Sequence, residues 1–167
     1  MQKDIIFGVD QSFSSTGVVI RSIEDGETLT MELLSSSKEL DWIDRAGYIA
    51  ESIVKVASNY KNPVLAIEGL PFGNMPGNSG KNLAGLQFVI ISMWRYSFGT
   101  GRDRIIVPTS IKKLATGAGK ASKDEMVENL PDGIREQVLV RPKTKGRYDL
   151  ADAWWLSEFY LQEIRDE

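Results

Sequence analysis

Short apolar runs and long periodic stretches succeed each other along the chain in a definite order. IIFGV (5–9) is an apolar run closed by Asp10; TGVVIRSI (16–23) and TLTMELL (28–34) follow across the turn-prone segments QSFSS and EDGE. Three runs with such short connections predict an antiparallel meander. The period then changes. In DWIDRAGYIAESIVKVASNY (41–60), Trp42, Ala46, Ile49, Ile53 and Val56 recur at helical spacing behind Asp41, a candidate N-cap, and Asn62-Pro63 marks the stop. VLAIEG (64–69) reads as a buried strand ending in an acid, and PFGNMPGNSG (71–80) as a loop. KNLAGLQFVIISMWRYSF (81–98) is helical and apolar around most of its circumference, which buries it within the domain or against a partner subunit. RIIVP (104–108) is a further strand, 109–115 and 122–130 are short helices, and the basic RPKTKGR (141–147) leads into a last helix, RYDLADAWWLSEFYL. This order predicts an α/β fold with one mixed sheet, residues 1–167 forming a single domain.

Composition narrows the chemistry. The 167 residues include no cysteine and no histidine, which removes disulfides, thiolate nucleophiles, the usual zinc sites and Ser-His-Asp arrangements. Any bound metal is then a hard cation held by oxygen, Mg²⁺ or Mn²⁺. No apolar run reaches the roughly 18 residues of a membrane span. The N-terminal MQKDIIFGVD does not have the form of a signal peptide, so a cytoplasmic protein without membrane contact is expected.

The net charge of −3 hides an uneven distribution. Residues 102–147 carry eleven Lys/Arg against six Asp/Glu, whereas 148–167 carry one against six. A basic segment in an acidic body can follow phosphates; it is equally what solvated loops and helix faces produce. Lys112 and Lys113 share a short helix, and Arg141, Lys143, Lys145 and Arg147 crowd one loop. Phe72, in the Gly/Pro-rich loop, either wedges into a ligand or folds back onto the core. At least one of Trp154 and Trp155 belongs to the core.

Four acids stand at element ends. Asp10 and Glu68 each close an apolar strand, and strand ends are where ligands sit in open α/β sheets. Asp149 and Asp152 are three apart, neighbours on one helical face that continues inward through Leu156, Phe159 and Tyr160. Taken singly, Asp10 also fits a turn cap, Glu68 a solvated strand end, and Asp149 and Asp152 an N-cap and a helix-dipole partner. Jointly, clustered carboxylates repel one another unless cations lie between them, and two Mg²⁺ ions would supply that charge.

These blocks resemble the RuvC-type Holliday junction resolvases of the ribonuclease H-like nuclease superfamily. FGVDQSFSSTGVVI (7–20) is similar to the family's opening strand, aspartate, Ser/Thr turn and second strand. VLAIEGLPFG (64–73) is similar to its strand ending in glutamate, VPTSIKKLATGAGKASKDEM (107–126) to its Pro, Lys, Gly-x-Gly and Lys block, and YDLADAWWL (148–156) to its closing Asp-x-x-Asp-Ala helix. The resemblance implies a ribonuclease H-like fold, a single mixed five-stranded sheet of meander plus parallel strands flanked by helices. It implies Asp10, Glu68, Asp149 and Asp152 as catalytic metal ligands for two Mg²⁺ ions, with Mn²⁺ as a substitute. Lys112 and Lys123 would act beside the scissile phosphate. Phe72, Lys113, Gly117, Gly119, Lys120 and the loop residues Arg141, Lys143, Lys145 and Arg147 would meet DNA. Pro71 stands where the family commonly has an aromatic wedge, and Gln11 where a proline is frequent, so divergent viral-type members with broader branched-DNA preference fit equally well.

The expected activity is Mg²⁺-dependent cleavage of four-way DNA junctions by paired nicks, leaving 5′-phosphate and 3′-hydroxyl ends, from a homodimer and with no small-molecule cofactor. A junction-binding protein of the same fold without catalysis is the alternative. The segment GVDQSFSSTG also resembles the phosphate hairpin of sugar-kinase and actin-like ATPases, but the chain is too short for their two domains and shows no second phosphate loop.

Overall fold

A computed structural model describes residues 4–70 and 77–167. Five strands form one sheet in the order β3-β2-β1-β4-β5, with β1 (Asp4–Asp10), β2 (Thr16–Ser22), β3 (Thr28–Leu34), β4 (Lys61–Glu68) and β5 (Asp103–Ile106). The β1–β2 and β2–β3 pairs are antiparallel and the β1–β4 and β4–β5 pairs parallel, so the expected meander and parallel strands meet at β1.

Strand alternation sorts the side chains into two cores. Ile5, Phe7, Val9, Leu65 and Ile67 face α1 (Trp42–Ala57) and α2 (Ser79–Phe98), where Trp94 fills the gap between helices and sheet. On the other face Ile6, Val19 and Ala66 meet α6 (Arg147–Asp166), with α3 (Pro108–Thr116), α4 (Lys123–Glu128) and α5 (Asp132–Leu139) packed around it. Both Trp154 and Trp155 are buried in this second core, and Phe159 and Tyr160 pack against it half-buried.

Helix α1 begins as expected, with the Asp41 side chain accepting from the Ile43 and Asp44 amides at 2.9 Å. It ends at Ala57 rather than Tyr60; Pro63 instead lies near the start of β4, beside a register shift between Asp4 and Ile6. The periodicity of 81–98 is helical, but only one side is buried, through Leu86, Gln87, Ile90 and Trp94, while Phe88 and Tyr96 are exposed. Among the described residues no helix is long and apolar enough to cross a membrane.

Two glycines set the distance between α6 and the sheet. A Cβ on Gly17 would lie 2.2 Å from the Asp149 carbonyl oxygen, and one on Gly8 2.0 Å from that of Ala153. Backbone therefore rests on backbone at the start of α6. That contact fixes where the helix delivers Asp149 and Asp152.

Candidate active site

Asp10 and Glu68 come together through strand periodicity. Asp10 belongs to the Ile6–Gly8 row and Glu68 to the Ala66 row, so both point to the α6 face, one step beyond the last ladder pair, Val9 with Ile67. The second pair of acids approaches from above, carried by α6 on its glycine seat. Asp10 and Asp152 are buried, Asp152 only 3 % exposed.

Burial and mutual repulsion leave this cluster short of positive charge. Burial first, then the neighbouring Glu68 and Asp152 charges, raises Asp10 well above the ordinary carboxylate range. Burial, then Asp152, pushes Glu68 up to about 7, against the opposing influence of Lys123, a hydrogen bond with Asp10, and Lys112. Asp152 is raised by burial despite the Lys123 ammonium that hydrogen-bonds it. Burial alone would lower that ammonium, yet Asp152, Asp10 and Glu68 together outweigh it and raise the lysine. Half of the Lys123 side chain remains exposed (53 %), so it reaches the acids from the solvent side.

Asp149 is held differently. It accepts from the Ser15 hydroxyl at 2.9 Å and from the Gly146 amide at 3.1 Å. With Asp149 on these donors and Asp152 on Lys123, no three acids among the described residues are arranged to enclose an ion as they stand. The donor set nevertheless suits a hard divalent cation: it is all oxygen, desolvated and mutually repelling.

The remaining sequence candidates divide. Lys112 acts electrostatically on Glu68 and Asp152 and belongs to the cluster, whereas Lys113 and Lys120 are exposed on the surface. Gly117 ends α3 in the left-handed conformation at φ 80°, and Gly119 passes near Thr109. In the basic loop, Lys143 pairs with Asp124 at 2.9 Å, and Arg147 donates to the Arg141 and Leu139 carbonyls. Among the described residues the Arg141 and Lys145 side chains have no hydrogen-bond partner. Phe72 lies outside the described residues. Ser15, Gly8, Gly17 and Gln87 do not stand out in the sequence, and Gln11 does so only as a departure from the family's frequent proline. The Ser/Thr content of QSFSST was the one available signal.

No family model matches the chain. Crossover junction endodeoxyribonuclease RuvC from two strains of Ehrlichia ruminantium, Welgevonden and Gardel, is 26 % and 25 % identical to it, over 96 % of this chain and 98 % of the relative in each case. Thermus thermophilus RuvC in complex with a Holliday junction substrate superposes with a TM-score of 0.73 at 17 % identity, covering 96 % of both chains. The chain thus resembles RuvC in sequence and in fold. The yeast mitochondrial Holliday junction resolvase Ydc2 shares the architecture more distantly, at a TM-score of 0.62 and 15 % identity over 99 % of this chain and 83 % of that one. Asp10, Glu68, Asp149 and Asp152 thus sit in a RuvC-like frame aligned from end to end.

Proposed function

We propose that the chain is a divalent-metal-dependent endonuclease that resolves four-way DNA junctions or related branched DNA, with residues 1–167 acting as one nuclease domain. The observation that carries this reading is the cluster of buried Asp10 and Asp152 with half-buried Glu68, where the Lys123 ammonium rests on Asp152 and Lys112 adds its charge, in a RuvC-like fold. In it, Asp10, Glu68, Asp149 and Asp152 hold two Mg²⁺ ions. When bound, such ions supply an activated water and neutralise charge on the departing 3′-oxygen. Lys123 leaves Asp152 for the phosphate, and Lys112 contacts the same phosphate from α3. Ser15 keeps the Asp149 carboxylate turned toward the strand end. Arg141 and Lys145, Lys113 and Lys120 follow the DNA backbone, Gly117 and Gly119 let the loop approach it, and Phe72 meets the branch point.

Paired nicks on a two-fold junction require a two-fold enzyme. The exposed Phe88 and Tyr96 support a partner surface on α2, beside a cleft of about 520 Å³ lined by Leu70, Phe88, Ile91, Arg95 and Ile105. The deciding experiment is cleavage of a mobile four-way junction beside flap, fork and duplex DNA, with and without Mg²⁺. Paired, Mg²⁺-dependent nicks on the junction are expected. Junction binding with no nicks under any divalent metal would instead make the chain a branched-DNA-binding protein.

A further inference from the structure

Two glutamine amides end on one backbone oxygen. Gln11 donates from Nε2 to the Glu68 carbonyl at 2.9 Å, and Gln87 of α2 donates from its own Nε2 to the same oxygen at 2.6 Å. Both residues are buried, at 5 % and 9 % exposure. The same peptide unit is held on its other side, where the Gly69 amide donates to the Ile106 carbonyl of β5 at 2.7 Å. A trans peptide sends its N–H and C=O in opposite directions. The Glu68–Gly69 unit is therefore pinned from both flanks, beyond the last ladder pair of β1 with β4.

Neither amide can be turned round, because a carbonyl would then face a carbonyl. For Gln11 this orientation leaves Oε1 buried without a donor among the described residues. Buried polar atoms are nearly always partnered, and one left unpartnered needs a reason. Here the reason is the Nε2 contact: the amide is kept for what its nitrogen holds. Gln87 adds a second consequence. Its sequence neighbour Phe88 is 76 % exposed, so the helix that clamps the Glu68 carbonyl from within is the one that presents an apolar surface without.

We propose that Gln11 and Gln87 are positioning residues that fix the Glu68 carboxylate by clamping its backbone, and that Gln87 makes this geometry depend on how α2 is seated. The inference rests on the nuclease reading above. Neither glutamine touches the reacting atoms. Each donor can partly cover for the other, so the signature is loss beyond the product of the single effects.

The test compares Gln11→Met, Gln87→Met and the double variant, methionine keeping length while removing the donor. Each single change is expected to lower kcat about threefold and the double about a hundredfold, the range seen when groups behind metal ligands are removed. KM and junction affinity stay within about twofold, since the clamp acts on the acid and not on DNA. Mn²⁺ affinity, titrated calorimetrically without DNA, falls about tenfold in the double variant. Losses that merely multiply, an unchanged Mn²⁺ affinity, or a double variant that no longer melts cooperatively would each overturn the assignment. A wild-type chain that binds Mn²⁺ but nicks no junction removes the nuclease reading and leaves the clamp to be judged on Mn²⁺ affinity alone. A wild type with no measurable Mn²⁺ affinity overturns the clamp, and one that also makes no nicks sinks both.

Discussion

Asp152 is almost wholly buried, and the Lys123 ammonium already rests on it. Asp152→Asn removes a charge without changing shape. Under the proposed mechanism it forfeits several kcal/mol of transition-state stabilisation, on the order of a thousandfold in cleavage rate. Junction binding should survive, because Lys123 is released rather than lost; a gel-shift beside a nicking assay separates the two effects. Glu68 gives a second residue-level prediction. Its folded-state pKa of about 7 lies above the ordinary 4.5, so its protonation stabilises the metal-free protein below that range and the gain is lost as pH rises through 7. Between pH 8 and 5.5 the gain is about 2 kcal/mol, or roughly 4–8 °C in melting temperature for a domain of this size. Saturating Mg²⁺ should raise the pH 8 value and flatten the profile, which differential scanning calorimetry reads directly. The four acids were legible in the sequence because they close apolar runs or repeat at i, i+3. Gln11 and Gln87 were not, because their target is a backbone carbonyl, and only strand register decides which carbonyl is left over at a sheet edge.

At the scale of elements, the site depends on α6 lying directly on β1 and β2. A methyl group at Gly17 would drive into the Asp149 carbonyl, and the helix would have to lift. Gly17→Ala is expected to cost about 1–3 kcal/mol, the usual range for overpacking, visible as a lower urea midpoint with an unchanged slope. Cleavage should fall much further than stability, since the lifted turn carries Asp149 and Asp152. The meander, α1, α2 and the last helix could be read from period and turn chemistry alone. Helix α5 could not: DGIREQVL buries only Val138, too sparse a stripe to stand out from the polar stretch around it. The ends of α1 and β4 also shifted by a few residues. Three residues, Ser58 to Tyr60, make the turn between them, and Pro63 is accommodated where β4 is only beginning to pair.

For the whole molecule, the two faces of the sheet divide the labour: α6 and the acids lie on one, and α1, α2 and the exposed Phe88 and Tyr96 belong to the other. If α2 forms the two-fold contact, a Phe88→Asp/Tyr96→Asp variant should sediment as a monomer, bind junctions more weakly and make single rather than paired nicks. Sedimentation velocity and a supercoiled cruciform assay measure these outcomes. The charge map makes a further distinction. Lys145 has no hydrogen-bond partner among the described residues, whereas Lys143 is already paired with Asp124. Lys145→Ala should therefore reduce the slope of log K against log salt by about 0.9, one phosphate contact, and Lys143→Ala by less, as fluorescence anisotropy across a salt series would reveal. The paired glycines beneath α6 also bear on genetics. In a library of random single substitutions selected for loss of nicking, positions 8 and 17 should surface about as often as the acids themselves, although neither glycine has a side chain with which to do chemistry.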